Sequence, residues 1–283
     1  TFSDGKLTTN LHNPLCKNVI NMFVKFGAPE EISYINKPHI GTDNLVKVVA
    51  NIRKYIIEKG GTFLFNTKAE NFVFENEQVK EVICKQHKQK EITNKDFIQI
   101  ENDNIRIKTN CVILAIGHSS RDMFTTLYEK NVCMEPKNFS VGVRIEHKQK
   151  MINHSQYGTN TKLKLPPAEY KLAYHGENHS CYTFCMCPGG EVMASSSEEG
   201  TIVTNGMSTF ARNGENANSA VLVNVTPEDL NSDKIITQMK EYYGEKLELC
   251  DNSPLLGMYF QKMLEEKAFK LAGANYNAPI QRV

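Results

Sequence analysis

The feature that most constrains the fold of this sequence is an apolar run, VILAIGH at residues 112–118, which stops at Gly117. Continuous apolar runs of this kind are typical of strands buried on both faces of a parallel sheet. In doubly wound sheets the ligand lies at the carboxyl ends of the strands, where a glycine lets the backbone come close. An ordinary strand-to-helix turn accounts for the run equally well, so the run alone leaves both interpretations open.

The phosphate loop that usually accompanies such a strand is absent from the sequence. No two glycines are separated by a single residue, so there is no G-x-G-x-x-G motif. Ser-His-Asp, H-E-x-x-H, Walker and protein-kinase signatures are also missing, which leaves hydrolase and kinase functions without specific support.

Composition excludes some classes of partner. The 283 residues carry a formal net charge of +1, which argues against a nucleic-acid or acidic-membrane binder. The eight cysteines form no C-x-x-C pair and predict reduced thiols of a cytoplasmic protein. No apolar run approaches the roughly eighteen residues of a membrane-spanning helix. The first residues contain neither a methionine nor a signal segment, so the chain resembles the middle of a longer one.

Periodicity predicts a mixed order of elements. Apolar spacing after Thr42 or Asp43 predicts a helix that ends at Gly60-Gly61, and the residues that follow it alternate as short strands. The further predictions are strands at 62–66, 71–75, 79–84 and 105–109, a solvated hairpin tip within 85–104, the strand VILAIGH, a helix at 121–130, a strand at 139–146, a β-rich stretch at 170–225, and helices at 233–243 and 254–271.

Two loops offer groups that could contact a ligand. Residues 3–10 combine small hydroxyl side chains, Gly5 and Lys6, which suits a phosphate or a flavin edge, although a plain polar loop is the stronger interpretation in isolation. Residues 37–43 place His39 before a helix N-terminus, where an anion or a proton-transfer group would be favoured. A capping turn with an incidental histidine is slightly preferred.

Three cysteines occur close together at Cys181, Cys185 and Cys187. In a regular strand they would share one face, with neighbours roughly 7 and 13 Å apart, too far for one tetrahedral zinc ion. A disulfide between Cys185 and Cys187 would be strained. We rank a structural strand first, a pocket lining second, a redox thiol third and a metal site last, and we predict no metal. The polar clusters at 204–208 and 216–220 fit either turns or a polar ligand.

Several motifs taken together resemble one family, the uncharacterised FAD-dependent dehydrogenases of bacteria, which are related to the glutathione-reductase-type flavoproteins. The resemblance runs along the whole chain. It is carried by TFSDGKLTTN (1–10), KPHIGTDNL (37–45), AIGHSSRDMF (115–124), FSVGVRIEH (139–147), QYG (156–158), YTFCMCPGG (182–190), TNGMS (204–208), NANSA (216–220) and NAPIQRV (277–283).

The resemblance implies an α/β fold, α+β overall. Residues 1–125 would be a partial FAD/NAD(P)-binding Rossmann-like domain with a β-meander, and residues 126–283 a β-rich substrate or cap domain with helices. Family members carry a G-x-G-x-x-G segment before this region and a further FAD-binding stretch after it. We therefore expect an internal fragment that binds FAD weakly or not at all and is itself inactive.

The resemblance also implies positions for the functional residues. Residues 3–7 would lie against the flavin or pyrophosphate, Lys68-Ala69 near the adenine, and 115–118 at the second strand end. The predicted cofactor-binding residues are Ser3, Asp4, Gly5, Lys6, Leu7, Lys68, Ala69, Ala115, Ile116, Gly117 and His118, and the candidate catalytic residues are His39, His118 and Arg144, with Cys187 as a weaker candidate.

The predicted function is a cytoplasmic FAD-dependent oxidoreductase that transfers a hydride between an unknown small molecule and flavin, with NAD(P)H as a further candidate cofactor. We expect no nucleic-acid partner and no membrane association. Two alternatives stay open: a non-catalytic module whose Asn-rich β-domain binds a ligand or partner, and a flavin-dependent modification of nucleic acid, against which the near-zero net charge counts.

Overall fold

The computed structural model describes residues 4–9, 11–90, 99–159, 163–244 and 253–282. The regular elements among these residues are helices and antiparallel sheets, so the predicted α+β class is confirmed. The helices are α1 (Pro14–Lys25), α2 (Thr42–Glu58), α3 (Arg121–Glu129), α4 (Gln149–Tyr157), α5 (Pro227–Leu230), α6 (Asp233–Tyr243) and α7 (Leu256–Leu271), with a 3-10 helix at Glu30–Ser33. The strands are β1 (Thr67–Glu75), β2 (Gln78–Lys90), β3 (Gln99–Lys108), β4 (Phe139–Lys148), β5 (Ala173–His175), β6 (Ser180–Cys187), β7 (Glu191–Ser195), β8 (Val203–Met207) and β9 (Asn216–Val225).

The chain divides into two compact units that are not consecutive in sequence. Residues 60–135 form the meander unit, and residues 1–59 together with 136–283 form the sheet unit. The predicted boundary at 125/126 lies inside α3, and the division into residues 1–125 and 126–283 stays a prediction. A unit built from both ends of a sequence is held by long-range contacts, which the order of predicted elements does not reveal.

The meander unit is a three-stranded antiparallel sheet in the order β1-β2-β3. Asn76 and Glu77, both with positive φ, make the two-residue turn between β1 and β2, the backbone form that suits the twist of a tight hairpin. Helix α3 packs Met123 and Leu127 against Phe72 of β1. The predicted meander is therefore confirmed, and residues 91–98 of the predicted hairpin tip lie outside the described residues.

Two predicted strands of this unit are wrong. Residues 62–66 and the run VILAIGH form no ladder with any described strand. Ile113 is 88% exposed and Leu114 is 47% exposed, so the run is not buried either. Apolar composition predicts a buried strand only if strands pair along its edges and other elements cover its two faces, and in this unit β1, β2 and β3 pair with one another and not with this run.

The sheet unit contains an antiparallel sheet in the order β4-β9-β6-β5 and a separate ribbon, β7-β8. One core lies where α6 and α7 pack against the end of β9, around Met239, Phe260 and Met263. A second core lies between α1, the 3-10 helix and α2, around Ile40 and Val48. The helix predicted between a cap at Thr42 or Asp43 and a stop at Gly60-Gly61 is α2, which begins at Thr42 after the N-cap Gly41, and the helix predicted at 233–243 is α6.

Strand β6 contains a β-bulge that changes which way its cysteines face. Phe184 pairs with Ala220 and Cys187 pairs with Asn218, so Cys185 and Met186 together oppose a single residue of β9. Cys185 has a φ of 48° and is exposed, whereas Cys187 is completely buried. The expectation that the three cysteines share one face is wrong, because the strict alternation of a strand ends at a bulge.

Residues 4–7 lie antiparallel to residues 38–41. The Leu7 amide donates to the Pro38 carbonyl at 2.9 Å, and the Ile40 amide donates to the Gly5 carbonyl at 3.0 Å. Gly5 has a φ of 73°, and a Cβ at this position would lie 2.9 Å from the Ile40 Cβ. The glycine is thus required by packing on Ile40 as well as by its backbone conformation.

We expect Gly5→Ala to lower the free energy of unfolding by about 2–4 kcal/mol, from left-handed backbone strain plus overpacking against Ile40. Gly200→Ala is the matched control, because Gly200 has a similar φ of 74° with no atom within 4 Å of the added Cβ. The control should lose only the backbone contribution, about 1 kcal/mol. Urea unfolding measures both, and equal losses would show that Ile40 does not constrain this position.

Candidate functional site

The buried carboxylate of Asp4 is the centre of a polar cluster in the sheet unit. Its Oδ1 accepts from His39 Nε2 at 2.8 Å, from Ser208 Oγ at 2.8 Å and from the Ser208 amide at 3.0 Å. Its Oδ2 pairs with Lys6 Nζ at 2.9 Å and accepts from Cys187 Sγ at 3.6 Å. We call Asp4, Lys6, His39, Cys187 and Ser208 the Asp4 cluster.

The cluster stabilises Asp4 as an anion. Burial alone raises the pKa of the Asp4 carboxyl, but the His39 hydrogen bond and the Lys6 charge outweigh burial and hold that pKa well below its ordinary value. An ionised carboxylate can only accept hydrogen bonds. We therefore assign a proton to His39 Nε2, the nitrogen that bonds to Asp4. That nitrogen lies 3.4 Å from Ser208 Oγ and already donates to Asp4, so the three residues do not form a nucleophilic triad.

Lys6 links the carboxylate to the buried thiol, donating to Cys187 Sγ at 3.1 Å. Burial raises the pKa of the Cys187 thiol, and the Lys6 charge only partly opposes this. Burial also acts to lower the pKa of Lys6, but the charges of Cys187 and Asp4 raise it above its ordinary value. Because the thiol is protonated near neutral pH, Asp4 is the anion that stabilises Lys6 there.

Lys6 is the most accessible side chain of the cluster. Its side chain is 22% exposed, against 5% for the side chain of His39, and Cys187 is 0% exposed. The structure thus brings together two predicted catalytic residues, His39 and Cys187. Both are buried, whereas Lys6, a predicted cofactor-binding residue, is partly exposed. Their catalytic role stays a prediction, and their contacts are those of groups that position Asp4 and Lys6.

The start of α2 is joined to residues 208–210 rather than left open for an anion. The Thr42 amide donates to the Ser208 carbonyl at 3.3 Å, and Asp43 Oδ1 accepts from the Phe210 amide at 3.0 Å. Gly41 allows this approach, because a Cβ there would lie 2.4 Å from the Phe210 nitrogen. An acidic side chain in the first turn disfavours a second anion. The N-cap is Gly41 and no side chain among the described residues caps the helix, and His39 bonds to Asp4, so the preferred interpretation, a capping turn with an incidental histidine, does not describe this region.

Arg144 and Asn218 form a pair beside Cys187. Arg144 Nη1 donates to Asn218 Oδ1 at 2.6 Å, and Asn218 lies opposite Cys187 in the β6-β9 ladder. Gly206 of β8 packs on the pair, since a Cβ there would lie 2.2 Å from Asn218 Oδ1 and 2.4 Å from Arg144 Nη1. Asn218 is completely buried, and within the described residues its Nδ2 has no hydrogen-bond partner. An unpaired buried donor costs about 1–3 kcal/mol.

The remaining predicted site residues belong to the meander unit. Lys68 forms an ion pair with Asp122 and is half exposed, and Ala69 packs against the core beneath α3. Ala115 to His118 are exposed, and Gly117 has the left-handed φ of 73°. Ser3 lies outside the described residues. The predicted cofactor-binding residues are therefore divided between the two units.

Ser208 and Asn218 are the members of the site that sequence reasoning did not single out. Each lies in a polar cluster that the sequence predicts as either a turn or a polar ligand site. Only the register of β9 against β6, and the position of the loop after β8, separate these two side chains from their polar neighbours.

Two negative observations apply to the described part of the chain. It contains no group of three or more His, Cys, Asp or Glu residues placed to hold a metal ion. None of its helices combines the length and the apolar character needed to cross a membrane.

Comparison with known proteins identifies the family. A family model described as "FAD-dependent protein, C-terminal domain-like" matches residues 138–283, which is about half of the chain. The chain therefore belongs to this family of FAD-dependent proteins, as the sequence motifs predicted. The matched region includes Arg144, Cys187, Ser208 and Asn218.

The chain is also similar to an uncharacterised protein of Clostridium beijerinckii. The two are 43% identical over 285 aligned residues, which cover 100% of this chain and 46% of the relative. The chain thus spans about half the length of the curated relative that it matches. The relation to dehydrogenases of the glutathione-reductase type stays a prediction.

We expect the contribution of Asp4 to stability to disappear in acid. Its folded pKa is depressed below the ordinary 3.8, so the contribution is present above about pH 4 and is lost as the pH falls toward the folded pKa. The difference in unfolding free energy between the wild type and Asp4→Asn should therefore shrink below pH 4. Glu199→Gln, at an exposed site, is the control. A difference independent of pH would contradict the buried ion pair.

We expect iodoacetamide to alkylate Cys185 in the native protein and to leave Cys187 unmodified, because Cys187 is buried and its pKa is raised. Tandem mass spectrometry distinguishes the two sites, and labelling in urea, where both should react, is the control. Equal labelling in the native state would show that the bulge does not bury Cys187.

Proposed function

We propose that this chain is part of a cytoplasmic FAD-dependent oxidoreductase that transfers a hydride between a small-molecule substrate and flavin, with NAD(P)H as a candidate second cofactor. The family supports the flavin. The observation that carries the assignment to a site is Lys6, a partly exposed ammonium held by a buried carboxylate and a buried thiol.

The residues around Lys6 fit a flavin edge or a pyrophosphate oxygen. A lysine ammonium has three donors, and Asp4 and Cys187 accept two of them, so one is available for a ligand. Because both partners are buried, the ammonium loses little conformational entropy when it binds. FAD, when bound, supplies the hydride chemistry, while the protein supplies orientation and local charge.

The groups behind Lys6 determine its position and protonation. His39 and Ser208 fix the Asp4 carboxylate from one side, and Asp4 keeps Lys6 charged from the other. Neither His39 nor Cys187 reaches the surface in this arrangement. We therefore propose that His39 and Cys187 are positioning residues, and that Lys6 is the member of the cluster that contacts the cofactor.

The test is a titration of the 283-residue chain with FAD, followed by ligand-observed NMR. We expect weak but saturable binding, which Lys6→Gln weakens at least tenfold, or about 1.4 kcal/mol, because a charge-assisted hydrogen bond is lost. Lys148→Gln, which removes an exposed lysine paired with Glu215, should bind FAD like the wild type. Absence of saturable binding, or equal binding by both variants, would contradict the proposal.

One observation favours a second candidate, a non-catalytic binding module. Two of the candidate catalytic residues, His39 and Cys187, are buried, as would suit a site that only holds its ligand. Reduction of the flavin of the full-length protein by NADH or NADPH under anaerobic conditions separates the two functions, because we expect the 283-residue chain itself to be inactive. Substrate-dependent reoxidation supports the oxidoreductase, and failure of reduction with both nucleotides supports the binding module.

A further inference from the structure

We propose that Arg144 and Asn218 form a binding site for a carboxylate, and that the substrate of this flavoprotein is a carboxylic acid. The assignment of the carboxylate to a substrate rests on the proposed function, whereas the binding site itself does not. Arg144 belongs to β4 and Asn218 to β9, and both lie on the face of the sheet on which Cys187 of β6 lies, next to the Asp4 cluster.

The charge of Arg144 is not balanced by a neighbouring carboxylate among the described residues. Arg144 is half-buried, and within the described part of the chain it makes no ion pair. The acidic residue two positions along β4, Glu146, is exposed and accepts from Asn216 Nδ2 at 3.0 Å and from the Val192 amide at 3.4 Å. Lys6 and Arg144 are therefore two cations beside a single buried anion, Asp4. A partly desolvated guanidinium without a counter-charge favours an anionic ligand.

Asn218 Nδ2 is a buried donor without a partner among the described residues. The bond from Arg144 assigns Oδ1 as the acceptor, because the reversed amide would turn its NH₂ group toward the guanidinium donors. Nδ2 is attached to the same carbon as Oδ1, so it lies within a few ångströms of the guanidinium. Two neighbouring planar groups with unused N–H donors match the two oxygens of one carboxylate.

Lys6 and Arg144 both lie close to Cys187. Lys6 donates to Cys187 Sγ at 3.1 Å, and Asn218, which accepts from Arg144, is the partner of Cys187 in the β6-β9 ladder. A carboxylate bound by Arg144 would therefore lie near the lysine that we assign to the cofactor, as a substrate of the flavin must.

An oxyanion at this site has two possible sources, a carboxylate or a phosphate. Arginine binds both, but Asn218 adds a single planar amide rather than the several backbone amides and lysines of a phosphate loop. We therefore assign the site to a carboxylate and use phosphate as the competing probe.

The experiment titrates the 283-residue chain with benzoate and, separately, with inorganic phosphate, and it follows the arginine Nε–Hε signals by NMR. We expect saturable binding of benzoate that shifts the Arg144 signal and is weakened at least tenfold in Arg144→Gln. Arg106→Gln is the control, because it removes an exposed arginine paired with Glu81 in the meander unit. Equal benzoate binding by Arg144→Gln and the wild type, or tighter Arg144-dependent binding of phosphate, would overturn the assignment.

A second variant covers the case in which Arg144→Gln fails to fold. Asn218→Asp keeps the size of the side chain but places a carboxylate against Arg144, so it should fold and yet lose benzoate binding. Retention of benzoate binding by Asn218→Asp would overturn the proposal. FAD titration of the same variants separates this proposal from the proposed function: Arg144→Gln should bind FAD like the wild type, whereas Lys6→Gln should not.

Discussion

The structure of the sheet unit depends on one buried negative charge. Removing a carboxylate from water is costly unless several donors replace the solvent, and Asp4 obtains them from residues that are far apart in sequence. His39 comes from the segment before α2, and Ser208 from the loop after β8. The donors that satisfy this carboxylate therefore join the beginning of the chain to its second half, together with the hydrogen bonds of Thr42 and Asp43 to residues 208–210.

The β-bulge in β6 determines what faces this charge. Without the extra residue, Cys185 and Cys187 would lie on the same face of the strand. With it, Cys185 points to solvent, and Cys187 lies against Lys6 and Asp4. A buried thiol with a raised pKa is a neutral partner, so it accepts a hydrogen bond from Lys6 without competing for its charge. The bulge thereby leaves Lys6 with one anionic partner and one available donor.

The site connects the family assignment to chemistry through two cations. Lys6 and Arg144 both lie near Cys187, but Lys6 is neutralised by Asp4, whereas Arg144 is held by a neutral amide. This difference is the physical basis for assigning the two residues to different ligands. The carboxylate, imidazole and thiol of the Asp4 cluster are all buried. The cluster therefore resembles a support for the charged side chain of Lys6 more than a set of exposed acid-base groups.

The sequence by itself determined the elements that rest on local interactions. The bounds of α2 and α6 follow from apolar spacing and from glycines at their ends, and the meander follows from alternation and short turns. The motifs also predicted a family of FAD-dependent proteins, which the family model confirms, whereas the dehydrogenase part of that prediction stays a prediction. Only the tertiary structure decided that VILAIGH lies outside any described sheet, that Cys187 is buried, and that Arg144 pairs with Asn218. These outcomes depend on strand partners, register and a bulge, which are contacts between distant residues, and a local pattern does not encode them.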